Sequence, residues 1–232
     1  MQGTSWKLDS MLIAVEGIDG AGKNTLAEGL KRLFVHAGRT AHVISFPGYE
    51  RTEAGRLIGS FLGGSYHLPQ NPFIVATMFA LDRAENLNSF KTLLNSYDVV
   101  IADRYVASNA AYQAARANHN AEEISDWVLD LEFRRFQSPV PDATILIDID
   151  IRTAQELVRR KAKRSYTDQA MDKYEGDFSL LSLAAERYKS LCRSDKFGAW
   201  LQVAAVSKGA LRTRDEIAGD AWTKLQSLGL LA

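Results

Sequence analysis

The sequence of 232 residues has one cysteine, four histidines, no net charge and no long apolar run. Each shortage excludes something. With Cys192 alone, no intrachain disulfide, thiolate zinc cluster or Cys-x-x-Cys redox pair can form, and a reducing compartment is expected. His36, His42, His67 and His119 stand far apart without His-x-x-x-His spacing, which disfavours a histidine metal site. Lys plus Arg number 28, and so do Asp plus Glu. The chain therefore lacks the basic field of a protein that lives on nucleic acid or an anionic membrane, although a local basic cluster could still grip a small anion. The start, MQGTSWKLDS, is polar, and the apolar run Met11 to Val15 stops at Glu16, too short for a signal sequence or a membrane span. The expectation is a cytoplasmic protein with no nucleic-acid or membrane partner. Residues 1–10 are expected to form a disordered leader, and residues 11–232 a single domain.

What is present is an alternation of strand and helix. Apolar runs of strand length recur at Met11 to Val15, His42 to Phe46, Val99 to Ala102, Thr144 to Ile149 and Trp200 to Val206. Runs that are continuous rather than alternating imply strands covered on both faces. Between them, helical spacing appears at Leu26, Leu30, Leu33 and Phe34; at Ile124, Trp127, Val128 and Leu131; at Phe178, Leu181, Ala185 and Tyr188; and at Ile217, Ala221, Leu225 and Leu228. This order predicts an α/β fold, a mainly parallel five-stranded sheet with helices on both faces, whose ligands gather at the carboxyl ends of the strands. Asn71 and Pro72 predict the start of a helix that carries Phe79, Asp82 and Arg83 and breaks near Asn88. Pro139 and Pro141 end the helix before the fourth strand. The stretch from Arg159 to Lys173 begins as a helix and then turns polar, as a mobile basic flap would. Cys192 continues the apolar face through Tyr188, which predicts a buried structural thiol.

Two motifs carry chemistry. GIDGAGKNT, Gly17 to Thr25, follows the first strand and opens the first helix, with Gly17, Gly22 and Lys23 at P-loop spacing. Glycines let backbone N–H groups turn inward around phosphate oxygens, the helix N-terminus faces that charge, and the lysine reaches the transferring phosphate. The position after Lys23 usually bears a hydroxyl that ligates magnesium; here it is Asn24, with Thr25 one place later. The second motif, DRYVASNAAYQ from Asp103 to Gln113, follows the third strand. Asp103 is placed to hold magnesium or its water and Arg104 to bind a phosphate, although a buried Asp–Arg pair that merely ties strand to helix would read the same way. No Asn-Lys-x-Asp or Asp-x-x-Gly motif accompanies them, so a GTP switch is disfavoured.

With FPGY at Phe46 to Tyr49, FALDRAENL at Phe79 to Leu87 and DKYEGD at Asp172 to Asp177 added to these two motifs, the chain resembles the thymidylate kinases, in particular the actinobacterial form. The resemblance runs from Met11 to about Trp200. It implies a P-loop nucleoside monophosphate kinase fold with a flap or lid near residues 159–173, ATP and dTMP as small-molecule substrates, Mg2+ as cofactor and a homodimer. It also implies roles. Gly17, Asp19, Gly20, Ala21, Gly22, Lys23, Asn24 and Thr25 would bind ATP. Phe79 would stack on thymine, although by spacing alone it reads as core. Arg83 would donate to thymine O4, where cytosine presents a donor of its own. Asn109 would read the base edge, Ser108 would stand beside it, and Tyr112 would fill the space of a ribose 2'-OH. Tyr49 and Arg104 would hold the monophosphate, and Tyr174 would help close the site. Asp19, Asp103 and Glu175 would surround the metal. Among the flap cations, Arg160 and Arg164 would join Lys23, Asp19 and Arg104 in catalysis. The family often carries a basic residue where this chain has Gly48, which leaves one phosphate contact of that loop open.

Phosphoryl transfer leaves a protein little covalent work; alignment and charge neutralisation dominate. No general base is needed when the acceptor is already a phosphate dianion. Two other readings stay open in the sequence: a relaxed deoxynucleotide monophosphate kinase, and a P-loop binding module without turnover, for which Asn24 is the only support.

Overall fold

The computed structural model describes residues 10–66, 71–117, 119–159, 177–194 and 196–231. The expectations for a leader and a basic flap fall outside these residues, apart from Ser10 and Arg159.

Five strands form one sheet: β1 (Met11–Glu16), β2 (Ala41–Ser45), β3 (Val99–Asp103), β4 (Ala143–Asp148) and β5 (Ala199–Ala204). The order is β2-β3-β1-β4-β5, and every neighbouring pair is parallel. β1 is central, and all six of its residues are buried. Its Ile13 lies opposite Ile101 on β3 and Ala143 on β4. The expectation of cover on both faces holds for β1, β3 and β4. It fails at the two edges of the sheet, for β2, where His42, Val43 and Ser45 are half-buried, and for β5, where Ala199, Trp200 and Leu201 are half-buried and Gln202 and Ala204 exposed. Val206 leaves that strand for a small antiparallel pair, β6 (Val206–Ser207) with β7 (Ala210–Leu211).

The helices are α1 (Lys23–His36), α2 (Glu53–Leu62), α3 (Pro72–Glu85), α4 (Leu87–Ser96), α5 (Val106–Ala115), α6 (Ala121–Leu129), α7 (Ile151–Arg159), α8 (Phe178–Ser194) and α9 (Arg214–Ser227). α1 buries Leu26, Leu30 and Phe34 and leaves Lys31 and Arg32 more open. That is the one-sided stripe that 3.6-residue spacing sets. α3 starts as the Asn71-Pro72 pair predicts, with the Asn71 side chain accepting from Phe73 N–H at 2.9 Å. The break expected near Asn88 falls at Asn86, whose Nδ2 donates back to Asp82 O at 3.0 Å, and α4 follows from Leu87. The α2 N-terminus is closed twice. Thr52 Oγ1 accepts from Gly55 N–H at 2.8 Å, and the Glu85 carboxylate accepts from Glu53 N–H at 2.8 Å and Ala54 N–H at 3.1 Å. Such caps contribute about 1 kcal/mol each.

α6 does not run on regularly through Leu131. It passes into a π-helical turn over Asp130–Arg135, where Phe136 N–H reaches back to Leu131 O at 2.9 Å. One extra residue per turn rotates the following side chains, and Glu132 becomes fully buried. Cys192 is half-buried against the core rather than enclosed in it. Among the described residues no helix is long and apolar enough to cross a membrane.

Candidate active site

The parallel register brings the carboxyl ends of β1, β2 and β3 side by side: Asp103 stands opposite Val15 on one side and Ser45 on the other. The chain leaves β1 as the Gly17–Gly22 turn and re-enters helix at Lys23. Gly20 and Gly22 have φ of 85° and 88°, a left-handed conformation that costs a residue with a Cβ roughly 1–2 kcal/mol. Gly20 is also closed sterically, since a Cβ there would stand 2.1 Å from Ala154 O of α7. Lys23 is buried, and its ammonium donates to Gly17 O at 3.0 Å and Ile18 O at 2.7 Å. Burial and, secondarily, the Arg104 charge pull its pKa down to about 8, against the opposing pull of Asp19, Asp103 and Glu16.

Across the turn, Arg104 adopts φ 65°, unusual for a side chain of this size. Its N–H donates to Val15 O at 3.0 Å, and its guanidinium pairs with the Asp19 carboxylate. Tyr112 completes the group, its hydroxyl donating to Asp19 Oδ2 at 2.7 Å and accepting from Asp19 N–H at 3.1 Å. Burial and the neighbouring Asp19 push the Tyr112 hydroxyl well above the usual phenol range, so it remains a donor. The arrangement fastens the P-loop to α5.

A second buried group lies deeper. Arg83 is 3% exposed and Glu132 0%. Arg83 donates to Glu132 through Nε and through Nη2, the latter at 2.6 Å. Asn109 Nδ2 donates to Ala76 O and to Glu132 Oε1, both at 2.9 Å. These two acceptors fix the orientation of the amide, so its Oδ1 is the atom left over, buried and without a hydrogen-bond partner. Gln113 Oε1 is likewise buried and unpartnered. Such atoms cost about 1–3 kcal/mol unless a ligand supplies a donor.

Lys23, Asp19, Arg104, Tyr112, Arg83, Asn109 and Gln113 line one cleft of about 280 Å3, with Ser45, Phe46, Pro47 and Leu62 as further wall; Glu132 is not part of that wall. Asp19, Gly20, Gly22, Lys23 and Asn24 supply its P-loop side; Tyr49, Phe79, Arg83, Asp103, Arg104, Ser108, Asn109 and Tyr112 supply the rest. Gly17, Ala21 and Thr25 stand off that wall, so of the two candidates after Lys23 it is Asn24 that faces the cleft. Arg160, Arg164, Tyr174 and Glu175 lie outside the described residues. Sequence reasoning missed Gln113, Glu132 and Glu16. Gln113 is the last residue of a motif already singled out, and its place one step after Tyr112 was the available signal. Glu132 had none, because regular helical spacing does not turn it inward.

Asp103 is half-buried, with one carboxylate oxygen 3.5 Å from Ser45 Oγ. Among the described residues no three His, Cys, Asp or Glu side chains gather around one point. A magnesium ion asks for less, one or two carboxylates with phosphate and water oxygens. Asp103 beside the P-loop fits that demand. Asp19 is already engaged by Arg104 and Tyr112.

The chain is similar to known proteins along most of its length. The thymidylate kinase family model matches residues 15–197. The thymidylate kinase of Mycobacterium tuberculosis (strain H37Rv) is 42% identical over 197 residues, covering 84% of this chain and 92% of that protein. The probable thymidylate kinase of Archaeoglobus fulgidus is 38% identical over 157 residues, covering 67% of this chain and 72% of that protein. The solved structure of thymidylate kinase from Candida albicans superposes with a TM-score of 0.70 at 22% identity, covering 97% of this chain and 94% of that one, a likeness of fold. The chain belongs to the thymidylate kinase family.

Proposed function

We infer that the protein transfers the terminal phosphoryl group of ATP to dTMP, forming dTDP for dTTP synthesis. The observation that carries the acceptor assignment is Asn109 Oδ1, an unpartnered acceptor held in the same cleft as Phe79 and Arg83. Thymine offers N3–H there and O4 to an arginine donor. Cytosine offers an acceptor and a donor in the reverse places, so both contacts would turn repulsive. Uracil matches thymine at both atoms and differs only in the 5-methyl group.

The remaining roles follow from charge and position. Backbone N–H groups of the P-loop surround the donor phosphates. Lys23 is folded back onto two carbonyls, and phosphate oxygens would draw its ammonium away from Gly17 O and Ile18 O toward the transferred group. Arg104 and Tyr49 hold the acceptor phosphate, and Tyr112 crowds the sugar. Asp103 is the described carboxylate best placed for Mg2+, which when bound would neutralise charge on the bridging phosphates. Glu175, Tyr174, Arg160 and Arg164 keep the roles that the family resemblance gives them: Glu175 near the metal, Tyr174 as cover of the site, and the two arginines as cations over the donor. The protein works in the cytoplasm as a single-domain chain paired into a homodimer. The exposed stripe Ile74 and Leu81 on α3, with Leu57 on α2, supports that pairing.

A coupled ADP-release assay over dTMP, dUMP, dCMP, dGMP and UMP tests the reading. Fast turnover of dTMP with poor turnover of dCMP and UMP is expected; equal turnover of dTMP and dCMP would refute the base assignment, and nucleotide binding without product would refute the kinase.

A further inference from the structure

Glu16 ends β1, immediately before the P-loop, and is fully buried, yet no step above uses it. Its carboxylate accepts from four donors. Oε1 takes Tyr105 N–H at 2.8 Å and Ser108 N–H at 3.1 Å, while Oε2 takes Ser108 Oγ at 2.6 Å and Tyr188 OH at 3.1 Å. Two facts give these bonds a purpose. α5 has no cap from its own N-cap residue, Tyr105, and Glu16 supplies the missing acceptor from another strand. Directly before Tyr105 stands Arg104 in its left-handed conformation, a strained geometry that persists only where its surroundings fix it. Ser108 Oγ is also 3.4 Å from Arg104 Nη1, so the carboxylate, the hydroxyl and the guanidinium form a chain.

We propose that Glu16 is a positioning residue for the acceptor phosphate: it caps α5 from β1, holds the Arg104 turn and so aims that guanidinium into the cleft. Tyr188 extends the arrangement to α8, since its hydroxyl lies 2.8 Å from Ser108 Oγ as well. Burial pushes the Glu16 carboxyl upward, while Ser108, the Tyr105 N–H and the charges of Arg104 and Lys23 pull it down. The inference rests on the phosphate-holding role given to Arg104 above.

The test uses the full chain with Glu16→Gln, Tyr188→Phe, Arg104→Ala and the Arg104→Ala/Glu16→Gln double variant. Each is measured for KM toward dTMP and ATP, for kcat and for melting temperature. Glu16→Gln keeps an oxygen for the two N–H groups but loses the charge, and Tyr188→Phe removes one hydroxyl from a buried ring. The expected result is a rise in the dTMP KM of about three- to tenfold for Glu16→Gln and less for Tyr188→Phe. The ATP KM should stay within about twofold, and Glu16→Gln should add nothing in the Arg104→Ala background. A residue that merely supported the P-loop beside it would move the ATP KM equally. Parallel changes in both KM values, or a lower melting temperature alone, would overturn the proposal while Arg104→Ala still raised the dTMP KM. An unchanged dTMP KM in Arg104→Ala would remove the phosphate role of Arg104 and the proposal with it.

Discussion

Lys23 shows how burial and function pull on one side chain. Its pKa of about 8 belongs to the free protein, so kcat/KM for ATP is expected to fall as pH rises above 8, while kcat falls later because bound phosphates stabilise the ammonium. Stability moves the other way. The unfolded chain holds the lysine proton up to its ordinary value of 10.5, so the penalty of the buried charge is full below pH 8 and fades between 8 and 10.5. Lys23→Met should therefore melt higher than the native chain at pH 7, with an advantage that shrinks toward pH 10, and it should lose most of its turnover. The Arg83–Glu132 pair gives a second prediction. Glu132→Ala would leave a buried guanidinium without its counter-charge at a cost of about 3–5 kcal/mol, seen as a large fall in melting temperature. Arg83→Gln should weaken dTMP far more than ATP; equal effects would take Arg83 out of the base pocket. Arg83 was legible in the sequence through its motif. Its partner was not, because nothing in the spacing of Ile124, Trp127, Val128 and Leu131 announces that the next turn is π-wound.

The turn and the helix it meets matter more at the next scale than any single contact. Gly20 and Gly22 share nearly the same φ, but a Cβ on Gly22 would meet nothing within 4 Å, whereas one on Gly20 would enter the backbone of α7. Gly22→Ala is expected to cost about 1–2 kcal/mol from its backbone conformation alone. Gly20→Ala should displace α7 or the P-loop, with loss of ATP binding measurable by calorimetry; tolerance of Gly20→Ala at native affinity would show that the contact yields. The sequence displayed both glycines as P-loop residues. That one of them is also a packing site could be seen only once α7 lay across it. Gly48 is a similar case: a Cβ there would stand 3.0 Å from Asn86 Nδ2 and 3.2 Å from Asp82 Oδ1. Its N–H donates to the Asp82 carboxylate at 3.1 and 3.0 Å, so the loop leans on α3.

For the molecule as a whole, the proposed homodimer has a direct test. Ile74 and Leu81 are 43% and 44% exposed, seven residues apart on one face of α3. Leu81→Glu is expected to convert a dimer to monomer in sedimentation while the melting temperature changes little; a dimer that survived it would place the interface elsewhere. The five strand-length apolar runs determined the fold class, and the P-loop spacing with the motif after the third strand picked out Lys23, Asp103 and Arg104, whereas Tyr49, Phe79 and Arg83 were singled out by the family resemblance. These are local signals, written in residue type and period, and they survive without coordinates. The strand order, which sets Asp103 beside the P-loop, came from the tertiary structure. So did the inward turn of Glu132, the closing of Gly20 by α7, and the capping of α5 by Glu16 from β1. Each joins residues far apart in the chain, and such contacts depend on how the elements pack rather than on the pattern within any one of them.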